Sequence, residues 1–312
     1  MSVELSVIEE DAGTRLDVLL VRRVEGMSRA KARRMIEDGG VRVNGRRARK
    51  GARVASGDHV HLDEKPVPTD FPAAADPELP LAVRYEDAHV VIVDKPAGVP
   101  THPLKPDERG TIAGALLARY PEMGNVGYAQ REPGILHRLD NETSGLLIAA
   151  RSARAFDALR AMLTNARIDK RYLALVVGNP GVTTIDAPIA PHPSDPRRVH
   201  ACVDPLDRRR PKARPATTEV LKAERVGEKH ALLEVKATIA VRHQIRAHLA
   251  AIGHPLVGDW LYGGPTIEGF ARHFLHASRI AFVHPLESDV EVDVSAPLPE
   301  ELAAIRRRLE SE

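Results

Sequence analysis

At 312 residues, 43% hydrophobic and 28% charged, the chain can hold one large domain and a small appended one, with the composition of an ordinary soluble globular protein. No apolar run approaches the roughly 18 residues needed to cross a bilayer, and an acidic start carrying Glu4, Glu9 and Glu10 reads against a secretory signal, so no membrane partner is expected. The single cysteine, Cys202, excludes a disulfide framework and any zinc site of paired cysteines, and a cytoplasmic location is expected.

The net charge of +2 conceals a segregation. Residues 22–53 hold twelve basic side chains against Glu25, Glu37 and Asp38, a local net of +9. Leading into this window, Leu16, Leu19, Leu20 and Val24 predict one helix. Ser28 caps a second, with Ala32, Met35 and Ile36 on its apolar side and Gly39–Gly40 as its stop. Arg29, Arg33 and Arg34 then fall on the outer side, with Lys31 nearby. Val41 and Val43 alternate up to Asn44–Gly45, a hairpin turn, and a further strand is predicted near residues 59–62. Two readings stay open at this point: a phosphate-backbone binder, or a merely solvated basic surface.

Five prolines between residues 64 and 80 predict a stiff linker, which would leave domains at 1–63 and 81–312. Beyond it, strands are expected at residues 89–93, 145–150, 172–177 and 232–235. Helices are expected around Phe156, Leu159, Met162 and Leu163, and around Ile245, Leu249 and Ile252. Strands in excess of helices, with connections of varied length, predict an α+β fold with a mixed, largely antiparallel sheet. The basic, proline-rich segment 191–215 is expected to be a surface insertion. No phosphate loop, dinucleotide fingerprint or G-x-S-x-G elbow is present, and the fourteen histidines are scattered. His243 and His248 lack a carboxylate at metal-ligand spacing, so no metal is expected.

The most informative string is His137-Arg138-Leu139-Asp140-Asn141-Glu142-Thr143-Ser144-Gly145-Leu146, a carboxylate behind two basic residues and before an apolar strand. An isolated Arg-x-Asp would ordinarily be a surface ion pair. The full string resembles the catalytic signature of the RluA-type pseudouridine synthases. In order with it stand Val93-Asp94-Lys95-Pro96-Ala97-Gly98, Lys170-Arg171-Tyr172-Leu173-Ala174, His243-Gln244-Ile245-Arg246 and Gly258-Asp259-Trp260-Leu261-Tyr262-Gly263. The basic module, through Thr14-Arg15-Leu16-Asp17, Ser28-Arg29-Ala30-Lys31-Ala32 and Val41-Arg42-Val43-Asn44-Gly45, resembles the S4 RNA-binding domain.

This resemblance implies isomerisation of specific uridines in RNA by base flipping, with large-subunit (23S) ribosomal RNA the expected substrate and transfer RNA the alternative; such an isomerisation needs no cofactor, and a monomer is expected. It implies Asp140 as nucleophile or base, Arg246 as its charge partner and Tyr172 as a stacking face. It puts Arg138 in the place the target base vacates, with His137 beside it, and implies RNA contacts from Arg29, Lys31, Arg33 and Arg34. One departure is visible: Ala240-Val241 stands where the family carries Gly-Arg, so Arg242 competes with Arg246 as the partner of Asp140. Two rival functions remain: a non-catalytic RNA-binding protein, and a hydrolase using Thr143 and Ser144 with His137 as base.

Overall fold

The computed structural model describes residues 2–66, 70–237 and 241–311. It divides into two compact units, Met1–Pro72 with Leu104–Glu108, and Ala73–Pro103 with Arg109–Glu312.

The first unit contains β1 (Val3–Ser6), α1 (Leu16–Arg23), α2 (Arg29–Asp38), β2 (Val41–Val43), β3 (Arg46–Arg47) and β4 (His59–Leu62). The strands form an antiparallel sheet in the order β1-β4-β2-β3. Leu16, Leu19 and Leu20 of α1 pack with Ala32 and Ile36 of α2 over Val41, Val60 and Leu62, which buries the apolar side of each element in one small core. The caps are those read from the sequence. The Ser28 hydroxyl accepts from the Lys31 amide at 3.3 Å, and Gly39, at φ +82°, ends α2. Asn44 and Gly45 both adopt positive φ, the conformation that a tight two-residue hairpin demands, and this pins Val43 opposite Arg46.

The second unit is built on a nine-stranded sheet. Its strands are β5 (Ala82–Glu86), β6 (Val90–Lys95), β7 (Ser144–Ala150), β8 (Asp169–Val177), β9 (Thr183–Asp186), β12 (Thr217–Val226), β13 (His230–Lys236), β14 (Leu275–Val283) and β15 (Glu291–Ser295). A separate hairpin pairs β10 (Ile189–Pro191) with β11 (Val199–Ala201). The main order is β5-β6-β7-β14-β8-β13-β12-β9, with β15 also on β14. Only the β7–β14 pair is parallel, so the sheet is mixed and largely antiparallel and the fold is α+β, as expected.

Alternation along the strands splits the core between two faces. Val91, Val93, Leu147, Ala149, Tyr172 and Val235 face α3 (Ile112–Arg119) and α5 (Gln244–Ala251). Val90, Ile92, Leu146 and Ile148 face α4 (Ala153–Thr164) and β15. Leu302, Ile305 and Leu309 of α6 (Glu300–Glu310) cover Leu175 and Leu232. The segment expected as a linker divides at Pro72: Ala73 is buried in the core of the second unit, and Asp76 accepts from the Gly110 amide at 2.8 Å. The insertion is not wholly irregular, because it carries β11 and part of the β10–β11 hairpin.

Candidate active site

The loop carrying Asp140 runs into β7 and is braced from three directions. The fully buried Lys95 ammonium donates to the carbonyls of Pro96 (2.9 Å), Val99 (2.8 Å) and Asn141 (2.9 Å), tying the Asp-Lys-Pro turn to the residue after Asp140. Burial nevertheless pushes this ammonium down to about 8. Thr101 donates to the Leu139 carbonyl at 3.1 Å. Buried Arg272 donates to the Glu142 carbonyl at 2.9 Å and is itself held by Glu301 of α6 at 2.7 Å. Gly145 shows why the signature needs a glycine there. Its φ is +112°, and a Cβ would lie 2.2 Å from the Ala277 carbonyl oxygen on the parallel neighbour β14.

The second half of the site comes from α5. Gln244 donates to the Thr217 carbonyl at 2.9 Å, and His248 bridges the Thr218 hydroxyl and the Ala187 carbonyl, each at 2.8 Å, fixing the helix against β12. Arg246 then lies buried between two carboxylates. Its Nη1 donates to Asp140 Oδ2 at 2.9 Å, while Nε and Nη2 make a bidentate pair with Asp259 at 2.7 and 2.9 Å. Burial opposes the guanidinium charge, but the bonds to Asp259 and the charge of Asp140 outweigh it and raise its pKa. For Asp140, burial works to raise the carboxyl; His243 and Arg246 more than offset it and hold the group below the usual carboxylate range. Burial also lowers His243, so at neutral pH Arg246 supplies the lasting positive charge.

Asp140 retains 23% side-chain exposure. It opens onto a cleft lined by Arg138, Tyr172, His243, Arg246 and Leu275. The Tyr172 hydroxyl is raised by burial and then by the Asp140 charge, so it stays protonated at neutral pH. Tyr262 backs the arrangement: its hydroxyl lies 3.0 Å from His243 Nδ1, and the Arg246 guanidinium carbon is 5.2 Å from its ring centroid.

The structure thus brings Asp140, Tyr172, Arg246 and Arg138 to one cleft. It turns His137 away from it: this buried ring accepts from the Ile148 amide at 3.3 Å, and burial holds it well below its ordinary pKa. Arg242 does not reach Asp140; it donates to the Pro196 carbonyl at 3.0 Å and to the Arg197 carbonyl. The departure at 240–241 is described only for Val241, because Ala240 lies outside the described residues. The hydroxyls considered for a hydrolase are engaged elsewhere, Thr143 with His273 at 2.8 Å and Ser144 with His276 at 2.9 Å. In the first unit Arg29, Arg33 and Arg34 are exposed; Arg33 lies 3.4 Å from Asp17, Arg34 lies 3.5 Å from Asp38, and Lys31 donates to the Gly26 carbonyl at 3.4 Å. Sequence reasoning assigned no role to Asp259, His243 or Tyr262. The Gly258–Gly263 string was the available signal, but nothing in it names Arg246 as its partner.

Residues 89–251 match the RNA pseudouridylate synthase family, and residues 14–60 match the S4 domain. An uncharacterized RNA pseudouridine synthase of Chloroflexus aurantiacus is 40% identical over 95% of this chain and 90% of its own length. The ribosomal large subunit pseudouridine synthase D of Xanthomonas campestris is 35% identical over 97% and 91%, and that of Escherichia coli K12 is 32% identical over 96% and 92%. The structure of human RNA pseudouridylate synthase domain containing 4 superposes with a TM-score of 0.54 at 21% identity, over 73% of this chain and 92% of that one, which shows a shared fold. The chain belongs to the RNA pseudouridylate synthase family. It is an RNA pseudouridine synthase, an isomerase that also carries an S4 RNA-binding domain.

Proposed function

We propose that the protein converts uridines of large-subunit ribosomal RNA to pseudouridine, with Asp140 as the catalytic carboxylate acting on a nucleotide extruded from its helix. The observation that carries this reading is the anchored carboxylate: Asp140, ionised and partly open to the cleft, is held by an Arg246 whose other edge is fixed by Asp259. The choice of RNA draws support from relatives named for the large ribosomal subunit that align over nearly the whole chain.

The reaction breaks the N1–C1′ bond and joins C1′ to C5; C5 loses its proton and N1 gains one, so atoms and electrons balance without a redox partner or group donor. An ionised carboxylate can add to C1′ or to C6 of the base, or remove a proton from the sugar. Arg246 keeps the group charged in a setting that would otherwise neutralise it. Tyr172, buried beside the carboxylate and protonated, offers a ring on which uracil can stack. Extrusion costs a few kcal/mol. Arg138, with 59% side-chain exposure at the mouth of the cleft, is suited to fill the vacated position. Arg29, Lys31, Arg33 and Arg34 add phosphate affinity that does not depend on base identity.

The test is Asp140→Asn, which keeps size and hydrogen bonding but can act neither as nucleophile nor as base at neutral pH. Tritium release from C5-labelled uridine in a large-subunit ribosomal RNA transcript should vanish while RNA binding persists. Turnover by this variant, with deamidation excluded, would sink the assignment of Asp140.

A further inference from the structure

The β10–β11 hairpin is tied to the wall of the Asp140 cleft, because the Tyr262 hydroxyl that meets the cleft residue His243 also meets the hairpin. Its connection is fastened there by Arg242, which donates to the Pro196 and Arg197 carbonyls, and by the Val199 amide, which donates to the Tyr262 hydroxyl at 2.9 Å. These contacts place two guanidiniums over aromatic rings. Arg198 has its guanidinium carbon 5.3 Å from the centroid of Tyr262, the ring that Arg246 also meets. Arg197 lies 5.9 Å from the centroid of Trp260 and is paired with Asp195 at 2.9 Å.

These ring contacts leave two groups of the hairpin contact incompletely matched. Whereas Arg246 is matched by two carboxylates, Arg198 meets none at ion-pair distance among the described residues, and its Nε is buried there without a hydrogen-bond partner. Trp260, the one tryptophan in the chain, is 64% exposed although it directly follows the buried Asp259. An exposed ring that meets Arg197, with the uncompensated Arg198 next in the chain and over Tyr262, two residues beyond that ring, suits one chemical class of ligand, an unpaired nucleotide: the base stacks on the indole and the phosphate meets the Arg198 guanidinium. An apolar peptide would leave Arg198 unmatched, and a free anion would leave Trp260 unused.

We propose that Trp260 and Arg198 form a subsite for the RNA nucleotide flanking the target uridine, with Arg242 as the positioning residue that docks the hairpin carrying Arg198. This rests on the reading that the Asp140 cleft receives an extruded uridine. It also gives a use to the arginine displaced by the departure at 240–241: Arg242 is turned from the carboxylate toward the insertion.

Because Trp260 is the sole tryptophan, intrinsic fluorescence reports on this ring alone. A single-stranded uridine decamer should quench the emission of the full-length protein, and tripolyphosphate, which brings charge without bases, should not. Anisotropy of an end-labelled decamer gives the affinity independently. Trp260→Ala should weaken it about tenfold and Trp260→Phe should retain most of it. Arg198→Met should weaken binding and flatten its salt dependence. Arg242→Met should raise KM for a ribosomal RNA transcript with little change in kcat, and Arg242→Lys, still able to donate to both carbonyls, should restore it. Decamer binding without quenching, equal quenching by tripolyphosphate, unchanged affinity in Trp260→Ala or no decamer binding at all would each overturn the subsite. A transcript isomerised with the same KM by wild type and Trp260→Ala removes the subsite and leaves the proposed function intact. A transcript left unmodified by the wild type removes the proposed function, and the fluorescence titration still decides the subsite.

Discussion

The two units of this chain use positive charge in opposite ways. In the first, cations stand in water: Arg29, Arg33 and Arg34 are exposed, the Arg34–Asp38 pair at 3.5 Å is of the surface kind, worth at most about 1 kcal/mol, and Arg33 reaches the buried Asp17 only at 3.4 Å. In the second, the cations that brace Asp140 and its loop are buried and their donors are assigned to particular acceptors. Arg246 serves two carboxylates, Lys95 three carbonyls, and Arg272 a carboxylate and the loop carbonyl of Glu142. Exposed cations attract any phosphate chain from a distance and are screened by salt; buried ones fix the position and ionisation of a single group and are screened little. Under the proposed function, one unit supplies affinity without choice and the other supplies geometry.

Arg246→Met tests the buried half of this contrast and should have the largest effect. Removing one partner of a buried ion pair costs about 3–5 kcal/mol, which corresponds to a drop of a hundredfold or more if it falls on the chemical step. The pH dependence should change as well. In the wild type Asp140 is held below the usual carboxylate range, so its titration should not limit activity until strongly acid pH. Without Arg246, burial dominates and raises the carboxyl, so kcat of the variant should fall as pH drops from neutral. A variant with the wild-type acid limb would mean that His243, 3.9 Å from Asp140, holds the charge instead. Arg29→Ala, Arg33→Ala and Arg34→Ala combined test the exposed half. RNA affinity should drop and its salt dependence flatten, by about 0.7–0.9 in slope for each phosphate no longer neutralised, with kcat at saturating RNA unchanged. An unaltered slope would reduce the basic module to a solubilising surface.

Much of this was legible in the sequence where one local rule decides the outcome. The Ser28 cap and Gly39 stop of α2, the Asn44–Gly45 turn and the apolar run of β7 all stand where short-range signals put them. Among the strands that escaped, three are disguised by polar residues. β12 carries Lys222, Glu224 and Arg225, β14 carries His276, Ser278 and Arg279, and β15 alternates Glu291, Asp293 and Ser295 around Val292 and Val294. β11 was read into the surface insertion because proline and arginine dominate that segment. Helix α6 keeps only Leu302, Ile305 and Leu309 as a buried stripe. At the site, the string around Asp140 and the Tyr172 and Arg246 motifs could be read as strings. The partners could not. Arg246 binds Asp140, 106 residues before it, and Asp259, 13 residues after it, and only the packing of α5 on β12 decides that Arg246 rather than Arg242 faces inward.

Tyr172 separates packing from chemistry at a smaller scale. It sits in the sheet core on the same face as Ile245 and also lines the cleft. Tyr172→Phe keeps the ring and should retain activity within about tenfold, whereas Tyr172→Leu removes base stacking worth roughly 1–3 kcal/mol and should abolish most of it. If the Phe variant is as inactive as the Leu variant, the hydroxyl takes part in the reaction.

Lys170 breaks the pattern set by the other buried cations, and its replacement should have the smallest effect on turnover. It lies two residues before Tyr172 on β8, 2% exposed, and its Nζ is buried with no hydrogen-bond partner among the described residues. Burial pushes its ammonium down to about 8 from an ordinary 10.5. Between these values the unfolded chain binds a proton that the native state has released, so for this group stability rises as pH climbs from about 8 toward 10.5 and is lowest below 8. Lys170→Met keeps the length of the stem and removes the charge. At pH 7 it should therefore raise Tm by several degrees, and the gain should fade by about pH 10.5, with kcat changed less than tenfold. Paired thermal melts of wild type and variant across that range check the sign. A lower Tm for the variant at pH 7 would mean that the ammonium makes a stabilising contact in solution, and Lys170 would then join Arg246 and Lys95 as a matched buried cation.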